Sequence, residues 1–545
     1  MTGITAIRPA ATVVVVREAS TGPEVLLLER THKAVFMPGA FVFPGGAVDR
    51  DDTHIVASHL TGMDEVAANR LLGIDRGGLD YMVTAIRECF EEAGLLLACD
   101  AAEASALQRA RQALLAGELT FAEFCREYEL MLRADRLAYL SRWVTPPGPP
   151  RRFDTRFFVA EAPPGQRAVP DGSETVGHLW IQPAQAVARY RSGRLPLGLP
   201  TLHTLETLAS YDSVTELLMY ARKPRKVRAT RPWPARGRDG LRVLHDKEPA
   251  YAEVVKLDPD GRGTASYEIL PGVVTQLGPG VQRLTAPNSG YMTGPGTNTY
   301  LVGEGDDLCV IDPGPADAEH VARILEASGG RIRSILVTHT HMDHSPAAEP
   351  LREATGAEVL GMPAPPHKGQ DERFRPDRVL RHGDRLITSA GTLRVLHTPG
   401  HASNHLCYLL DEQRLLFSGD HIMQGSTVVI GPPDGDMAAY LNSLEALQRE
   451  AIDYIAPAHG FLMDRPQAAI TRLLRHRRLR EQKVLTALGE LGPAHLDTLL
   501  PAVYQDVPKP LHKVAARSLL AHLFKLQQEG RARCDDGQWV LSSAS

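Results

Sequence analysis

The sequence has no C-x-x-C pair, no long apolar segment and little net charge. Its six cysteines are scattered along 545 residues, so neither a disulfide framework nor a thiolate zinc site is indicated. The longest early apolar run, Val13 to Val16, is far shorter than the ~20 residues of a membrane-spanning helix or the ~7 residues of a minimal signal-peptide core. We therefore expect a cytoplasmic protein without a membrane anchor or secretion signal.

The net charge of -5 gives no overall electrostatic attraction to nucleic acid or to an anionic membrane. With 43% hydrophobic and 23% charged residues, the composition is that of a globular chain of about two to four domains. Positive charge is concentrated in residues 221–238, which contain eight Lys or Arg, three Pro and no acid. This segment predicts a solvated interdomain linker, with binding of a polyanion as the alternative.

In the first half of the chain, YMVTAIRECFEEAG (Tyr81 to Gly94) has the periodicity of a helix. Its apolar positions are Met82, Ile86, Cys89 and Ala93. Glu88, Glu91 and Glu92 have i, i+3 and i+4 spacing and share another face, where their oxygens suit Mg²⁺ or Mn²⁺. Without a cation, the same carboxylates would form a solvated acidic face.

This segment resembles the Nudix box, G-x5-E-x7-R-E-U-x-E-E-x-G-U, in which U is a bulky apolar residue. The resemblance implies hydrolysis of a nucleoside diphosphate derivative. Glu88, Glu91 and Glu92 would bind the divalent cations, and Arg87 would orient these glutamates through a charge-assisted pair. If Gly46 is the first glycine of the box, Arg87 follows after 41 positions instead of 14, so 27 residues are inserted.

The motifs FVFPGGAVD, AIRECFEEAGLLL and RFDTRFFVA resemble the Nudix branch that includes a coenzyme A diphosphatase, in which insertions at this point are known. Asp52 lies at the offset of the first box glutamate, but we do not predict it to be a ligand. Glu174, in DGSETVGHLW, is a candidate for a further ligand or base, with an exposed loop acid as the equal alternative.

In the second half, HTHMDH directly follows the apolar run IRSILVT (Ile332 to Thr338), which predicts a buried strand. This motif supplies four potential metal ligands within six residues, His339, His341, Asp343 and His344, and packing alone does not explain such crowding. Three further candidates each follow a short apolar run, namely His401, Asp420 and His459. Each alone would fit a structural histidine or a turn aspartate, whereas the whole set predicts a metal site.

This set resembles that of the metallo-β-lactamase fold, an αββα sandwich. The resemblance implies two Zn²⁺ ions whose ligands are His339, His341 and His401 at one ion, Asp343, His344 and His459 at the other, and Asp420 as the bridge. The implied nucleophile is a dinuclear zinc hydroxide. Asp312, in VIDPG, matches a family aspartate that supports the ligands, although an Asp-Pro-Gly turn also explains it.

Within this superfamily, GTNTYLVG, TLRVLHTPGH and FSGDHIMQGSTVV resemble the β-lactamase-like protein 2 group, which includes an endoribonuclease. The tail has two predicted helices and a hairpin turning at Asp536-Gly537, and it resembles the small winged helix of that group. The group favours hydrolysis of single-stranded RNA. The group also has relatives that are thioesterases, so hydrolysis of acyl-coenzyme A or acyl-carrier thioesters is the alternative. A third hypothesis is a regulator whose winged helix binds DNA while the hydrolase folds sense a ligand.

Basic side chains lead into the winged helix and would contact phosphates or form a solvated helix face; they are Arg472, Arg475, Arg477, Arg478 and Arg480. We predict a multidomain α/β and α+β protein with four segments: a Nudix α/β/α sandwich at 1–220, a basic linker and preamble at 221–265, a metallo-β-lactamase domain at 266–475 and a winged helix at 476–545.

The predicted activity is that of a bifunctional metal-dependent hydrolase. Its expected partners are a nucleotide or coenzyme A-like small molecule and either single-stranded RNA or an acyl thioester, with no membrane. The residues to which we assign catalytic roles are Glu88, Glu92, Arg87 and Asp343.

Overall fold

The computed structural model describes residues 6–33, 37–55, 59–99 and 104–542. The chain divides into two compact units, Met1–Pro232 and Trp233–Ser545. Among the described residues, no helix combines the length and the apolar character needed to cross a membrane.

The first unit is built around one eight-stranded sheet and one small sheet. Its strands are β1 (Ile7–Ala19), β2 (Gly22–Arg30), β3 (Phe41–Val42), β4 (Gly45–Ala47), β5 (Leu60–Thr61), β6 (Ala98–Cys99), β7 (Met131–Arg133), β8 (Ala138–Val144), β9 (Arg152–Glu161), β10 (Thr175–Ile181) and β11 (Ala229–Thr230). The main order is β10-β2-β1-β9-β8-β11, with β3 beside β2 and β4 beside β1. Strands β1 and β9 are parallel, and β5, β7 and β6 form the small sheet.

Helices cover both faces of the main sheet. They are α1 (Asp52–Ile55), α2 (Glu65–Leu72), α3 (Gly78–Ala93), α4 (Ala104–Ala116), α5 (Phe121–Glu127), α6 (Pro183–Arg191), α7 (Leu199–Leu208) and α8 (Val214–Arg222). Because side chains alternate along a strand, Val13 and Val15 pack in the core with α3, whereas Val14 and Val16 pack in the opposite core with α6 to α8. The predicted α/β/α sandwich is confirmed.

Helix α3 contains the predicted amphipathic segment and begins three residues earlier than expected. Met82, Ile86 and Cys89 are fully buried, as the spacing predicts. The helix ends at Gly94, whose φ of 70° is the left-handed conformation that glycine adopts most easily, and the Gly94 amide closes the last turn.

The basic segment 221–238 and the residues after it contain ordered elements. In the first unit, β11 pairs with β8, and the Arg225 guanidinium donates hydrogen bonds to the carbonyl oxygens of Tyr139 and Leu140 at 3.0 and 2.8 Å. In the second unit, β12 (Trp233–Gly237) and β13 (Gly240–Leu244) form a hairpin, followed by α9 (Tyr251–Leu257). Trp233, Leu244 and Val254 are buried in a small core of their own.

Two further sheets form the body of the second unit. The strands of the first are β14 (Thr275–Gly278), β15 (Val281–Thr285), β16 (Asn298–Val302), β17 (Cys309–Ile311), β18 (Ser334–Leu336), β19 (Glu358–Gly361) and β20 (Arg378–Val379), in that spatial order. Those of the second are β21 (Arg385–Thr388), β22 (Gly391–His397), β23 (Leu406–Leu410), β24 (Leu415–Gly419) and β25 (Tyr454–Pro457), also in order. Side chains such as Tyr300, Val395 and Phe417 fill the space between the sheets.

Helices cover the outer faces of these sheets. Helices α10 (Ala318–Ser328) and α11 (Ala348–Thr355) pack on the first sheet, and α12 (Met437–Leu447) and α13 (Pro466–Leu491) pack on the second. This arrangement confirms the predicted αββα sandwich.

The tail forms a small domain of helices and one hairpin. Helix α13 continues through residue 476 into this domain, where it packs against α14 (Leu496–Val503), α15 (His512–Gln528) and the hairpin of β26 (Ala532–Asp535) and β27 (Gln538–Leu541). The turn of the hairpin lies at Asp536 and Gly537, as predicted. The winged-helix prediction is therefore confirmed.

Candidate functional site

Arg87 is the centre of a charged cluster on α3. Its guanidinium donates two hydrogen bonds to the Asp52 carboxylate, at 2.8 and 3.0 Å, in a bidentate pair. Its Nη1 also donates to Glu88 Oε1 at 2.8 Å and to Glu91 Oε2 at 3.0 Å. Asp52 is 1% exposed and also accepts a hydrogen bond from Thr84 Oγ1 at 2.8 Å. Asp52 therefore anchors Arg87, and Arg87 fixes two of the predicted ligands.

The paired glycines of β4 lie directly against this cluster. The Gly45 amide donates a hydrogen bond to Glu92 Oε2 at 3.0 Å. A Cβ atom on Gly46 would lie 2.3 Å from Glu88 Oε1, so any larger residue would displace that carboxylate. The fold therefore brings FVFPGGAVD into contact with the α3 carboxylates, although 27 inserted residues separate the two parts of the box in the sequence.

Burial raises the pKa values of the three glutamates, and nearby carboxylates add to each shift. Burial, with the Glu91 charge, raises the pKa of Glu88 to about 7, although Arg87 opposes the shift. Burial also raises the pKa of Glu91, and burial followed by the Glu88 charge raises the pKa of Glu92 well above its usual value. Bringing these carboxylates together in the charged form is costly, and a divalent cation bound to their oxygens would offset that cost.

The three glutamates share one side of α3 but do not converge on one point. Among the described residues, the groups of three ligand atoms that lie within 4.8 Å of one another are all in the second unit. Glu174 is an exposed loop residue whose amide is bonded to Asp171 at 2.7 Å, and its charge contributes to raising the pKa of Glu92.

The ligand candidates of the second unit follow the carboxyl ends of its strands. The HTHMDH segment follows β18, His401 follows β22, Asp420 follows β24 and His459 follows β25. Three groups of side chains converge closely enough to hold an ion: His339 with His341 and His401, His339 with His344 and Asp420, and Asp343 with His344 and His459.

Asp420 lies between the two sides of this cluster. Its Oδ1 is 3.3 Å from His459 Nε2 and 3.7 Å from His344 Nε2, and its Oδ2 is 3.6 Å from His401 Nε2. On the first side, His341 Nδ1 is 2.8 Å from His339 Nε2 and 3.0 Å from His401 Nε2. Asp420 Oδ1 therefore faces His344 and His459, and Oδ2 faces His401.

Outer contacts orient the ligating rings. Asp312 accepts hydrogen bonds from the Thr338 amide at 2.7 Å and the Thr338 hydroxyl at 2.8 Å, and its Oδ2 lies 2.9 Å from His344 Nδ1. His401 Nδ1 donates to the Val429 carbonyl at 2.7 Å, and His459 Nδ1 to the Gly296 carbonyl at 3.1 Å. Each of these bonds leaves the opposite ring nitrogen free to bind an ion.

The donor set fits bound divalent metal. His344 Nε2 and Asp420 Oδ1 are buried and have no hydrogen-bond partner among the described residues, although both face the cluster. A buried polar atom without a partner is costly, and a bound cation would satisfy both atoms. Imidazole nitrogens with carboxylate oxygens are a common donor set for transition metals.

The surroundings lower the pKa of some of the ligand histidines and raise the pKa of others. Burial and neighbouring histidines lower the pKa of His339 well below its usual value and that of His341 to about 3, so both rings are neutral and able to bind metal. Burial opposes the charged form of His459, but the Asp420 charge raises its pKa to about 9. Burial likewise opposes the charge on Asp343, but His344 and His459 lower its pKa to about 2.

Two functional neighbours were not identified in the sequence. His405 is fully buried, its Nδ1 is 2.9 Å from Thr398 Oγ1, and its Nε2 accepts a hydrogen bond from the Asp420 amide at 3.2 Å. His405 thus holds the backbone of Asp420. His421 is also fully buried, and its ring is tilted against that of His405, with the ring centres 5.7 Å apart. The only sequence signal for His421 is its position next to Asp420.

Asp312 gives a prediction for the metal content of this cluster. Replacing Asp312 with alanine removes the acceptor for His344 Nδ1 and is expected to weaken metal binding by roughly 10- to 100-fold. Metal retained after dialysis against graded chelator measures the effect. Asp306→Ala, at an exposed position of the same unit, is the control. Equal retention by both variants would show that Asp312 does not support the ligands.

The chain matches three family profiles. They are the metallo-beta-lactamase superfamily over residues 292–459, the NUDT19 Nudix domain over residues 68–208 and the beta-lactamase associated winged helix domain over residues 496–539. The Nudix match includes α3, and the metallo-beta-lactamase match ends at His459.

Individual relatives match about half of the chain. Lactamase-like protein vrtG from Penicillium aethiopicum is 31% identical over 50% of this chain and 89% of its own length. A beta-lactamase-like protein 2 homolog from Drosophila melanogaster is 32% identical over 48% of this chain and 92% of its own length. An atrochrysone carboxyl ACP thioesterase from Aspergillus chevalieri is 31% identical over 44% of this chain and 79% of its own length.

Both matched enzyme families are metal-dependent hydrolases, so the protein is a hydrolase. The chain belongs to the metallo-β-lactamase superfamily, and it carries a NUDT19-type Nudix domain before that fold and an associated winged helix after it.

Proposed function

We propose that the protein is a bifunctional hydrolase of coenzyme A-type substrates. The first unit cleaves the diphosphate of a coenzyme A-like nucleotide, and the second cleaves an acyl thioester of coenzyme A or of a carrier protein. The observation that carries the second assignment is the convergent ligand set around Asp420 in a chain similar to a named carrier-protein thioesterase. The NUDT19-type match supports the first.

In the second unit, we assign zinc to the cluster because imidazole and carboxylate together suit that ion. His339, His341 and His401 would hold one ion, Asp343, His344 and His459 the other, and Asp420 both. Bound zinc supplies an activated water and a Lewis acid for the reacting carbonyl. The chain itself supplies neutral imidazoles at His339 and His341 and the fixed orientation of His344.

In the first unit, we assign Mg²⁺ or Mn²⁺ to Glu88, Glu91 and Glu92 because carboxylate oxygens are hard ligands. Bound magnesium or manganese neutralises the diphosphate and activates water. Arg87 is the positioning residue, since its Nη1 donates to both Glu88 and Glu91. Glu92 accepts a hydrogen bond from the Gly45 amide, and this bond places the paired glycines of β4 beside the site.

Single-stranded RNA is the second candidate for the zinc centre. Arg472, Arg475 and Arg478 are exposed on α13 and form a positive stripe. Arg477 and Arg480, in contrast, are 3% and 6% exposed, and they donate to the carbonyls of Val428 and Val503. Two of the five predicted arginines therefore serve the fold, and the surface that remains to follow phosphates is small.

The test uses the full-length protein with zinc restored. Hydrolysis of a long-chain acyl-coenzyme A is read as free thiol, and cleavage of a labelled single-stranded RNA is read in parallel. We expect thiol release that is lost in His341→Ala, and no RNA cleavage. RNA cleavage that is lost in His341→Ala, without thiol release, would contradict the thioesterase proposal.

A second measurement tests the exposed arginines of α13. A variant with Arg472, Arg475 and Arg478 replaced by glutamine is expected to release thiol within about twofold of the unmodified protein, because exposed charges contribute little to the fold. Strongly reduced RNA cleavage in the same variant would instead assign this stripe to nucleic acid, since phosphate contacts dominate such binding.

A further inference from the structure

We propose that residues 233–269 form one wall of a substrate groove ending at His459, and that this groove binds the uncharged chain of a thioester substrate. The proposal rests on the thioesterase activity proposed above, which it deepens by assigning a chain-binding site. In the sequence, most of this segment was predicted to be a linker and preamble.

The groove encloses about 520 Å³. Residues 233–269 contribute Tyr267 and Ile269 to one wall, and Tyr291, Met292 and Met423 contribute to the others. His459, a predicted zinc ligand, also lines the groove. A chain bound along the groove would therefore place its end beside the metal-binding cluster.

The lining favours an uncharged chain. Tyr291 is 75% exposed and Met292 is 50% exposed, so apolar and aromatic surface at the groove is open to a ligand. The Arg238 charge is balanced by Glu268, whose carboxylate accepts hydrogen bonds from the Arg238 amide at 2.7 Å and from Nε at 3.4 Å. A phosphate backbone would require unpaired positive charge, whereas an acyl chain gains free energy by burying apolar surface.

Hydrogen bonds hold this wall against the ligand-bearing loop. Gln424 Nε2 donates to the Pro249 carbonyl at 2.7 Å, and Gln424 Oε1 accepts from the Phe461 amide at 2.9 Å. Gln424 therefore joins residues 233–269 to the loop that carries His459. The groove is fixed by the fold, which lowers the entropic cost of binding.

A buried ion pair provides a second connection. Glu253, on α9, accepts two hydrogen bonds from the Arg283 guanidinium at 2.6 and 2.9 Å and a third from the Leu462 amide at 2.9 Å. Glu253 and Arg283 are 1% and 2% exposed. The segment is thus packed into the hydrolase, and its groove residues keep a defined position relative to His459.

The experiment fills the groove and measures binding of a stable probe. Ser426 is exposed and lines the groove, so Ser426→Trp places an indole inside it. Ile387→Trp is the matched control, since Ile387 is 76% exposed on β21 and outside the groove. The probes are S-butyl and S-hexadecyl thioethers of coenzyme A, which cannot be hydrolysed, and binding is measured by calorimetry with zinc restored.

The unmodified protein and Ile387→Trp are expected to bind the hexadecyl probe at least about tenfold more tightly than the butyl probe, because two buried methylenes already account for such a ratio. Ser426→Trp is expected to reduce that ratio to near one. Equal affinity for both probes in the unmodified protein, or an unchanged ratio in Ser426→Trp, would overturn the groove assignment.

The outcomes also separate the groove from the proposed activity. If no acyl-coenzyme A is hydrolysed but the binding ratio is high and sensitive to Ser426→Trp, the thioesterase proposal fails and the groove assignment holds. If thioesters are hydrolysed and the ratio does not depend on Ser426, the groove assignment fails and the activity holds.

Discussion

Asp420→Asn is expected to lower thioester hydrolysis by more than 100-fold, which exceeds the roughly 10- to 100-fold cost of losing an outer hydrogen-bond partner of a metal ligand. The two oxygens of Asp420 face the two sides of the cluster, with Oδ1 at 3.3 Å from His459 Nε2 and Oδ2 at 3.6 Å from His401 Nε2. The amide has no negative charge, so it would weaken binding of both ions together. Initial rates of thiol release and metal content measure the two consequences.

Asp453→Asn is the matched control, because Asp453 is half exposed and pairs with Arg414 at the surface. This variant is expected to keep both activity and metal within about twofold, as exposed ion pairs contribute little. The diphosphate cleavage proposed for the first unit provides an internal control for protein quality. Thiol release by Asp420→Asn equal to that of Asp453→Asn would exclude the bridging role.

Glu253→Ala is expected to destabilise the second unit by about 3–5 kcal/mol, because it leaves Arg283 charged and buried without a partner. The change also removes the acceptor of the Leu462 amide, three residues beyond His459. Urea unfolding of the second unit gives the free energy. Hydrogen exchange in peptides covering 251–257 and 459–463 shows whether the loss is local.

The control is Glu326→Ala, which removes an exposed glutamate paired with Arg323 and should cost less than about 1 kcal/mol. A double variant, Glu253→Met with Arg283→Met, is expected to recover much of the stability, since an apolar pair removes the unpaired charge. A Glu253→Ala protein as stable as Glu326→Ala would contradict the view that residues 233–269 belong to the hydrolase.

Short-range patterns predicted the elements that carry the site. The spacing of Met82, Ile86 and Cys89 identified the buried face of α3, and the structure buries all three. HTHMDH was predicted to follow a strand, and the structure places it after β18. Such predictions succeed because helix and strand periodicity are local properties of the chain.

Contacts between distant segments could not be predicted in the same way. The approach of Gly46 to Glu88 spans 42 residues and depends on the pairing of β4 with β1. His405 gives no spacing signal, because it directly precedes an ordinary apolar strand and reaches the site through the backbone of Asp420 and the ring of His339. Its role follows from the fold.

The basic segment shows how composition can mislead. Proline and like charge in residues 221–238 are typical of a spacer, and the sequence contains no local signal for the partners of the elements that follow. Glu253 and Arg283 are 30 residues apart, and each alone is an ordinary surface type. Their buried pairing, together with the Gln424 contacts, shows that residues 233–269 pack into the second unit.

The most direct test of two separate hydrolytic centres measures both reactions in the full-length chain. Glu92→Gln removes a carboxylate, but the glutamine side chain can still accept the hydrogen bond from the Gly45 amide. His341→Ala removes a candidate ligand from the cluster of the second unit. Diphosphate cleavage of coenzyme A is read as adenosine bisphosphate, and thioester hydrolysis is read as free thiol. We expect each variant to lose its own reaction by at least about 100-fold and to keep the other within about twofold. Loss of both reactions in either variant, or of neither, would contradict the account.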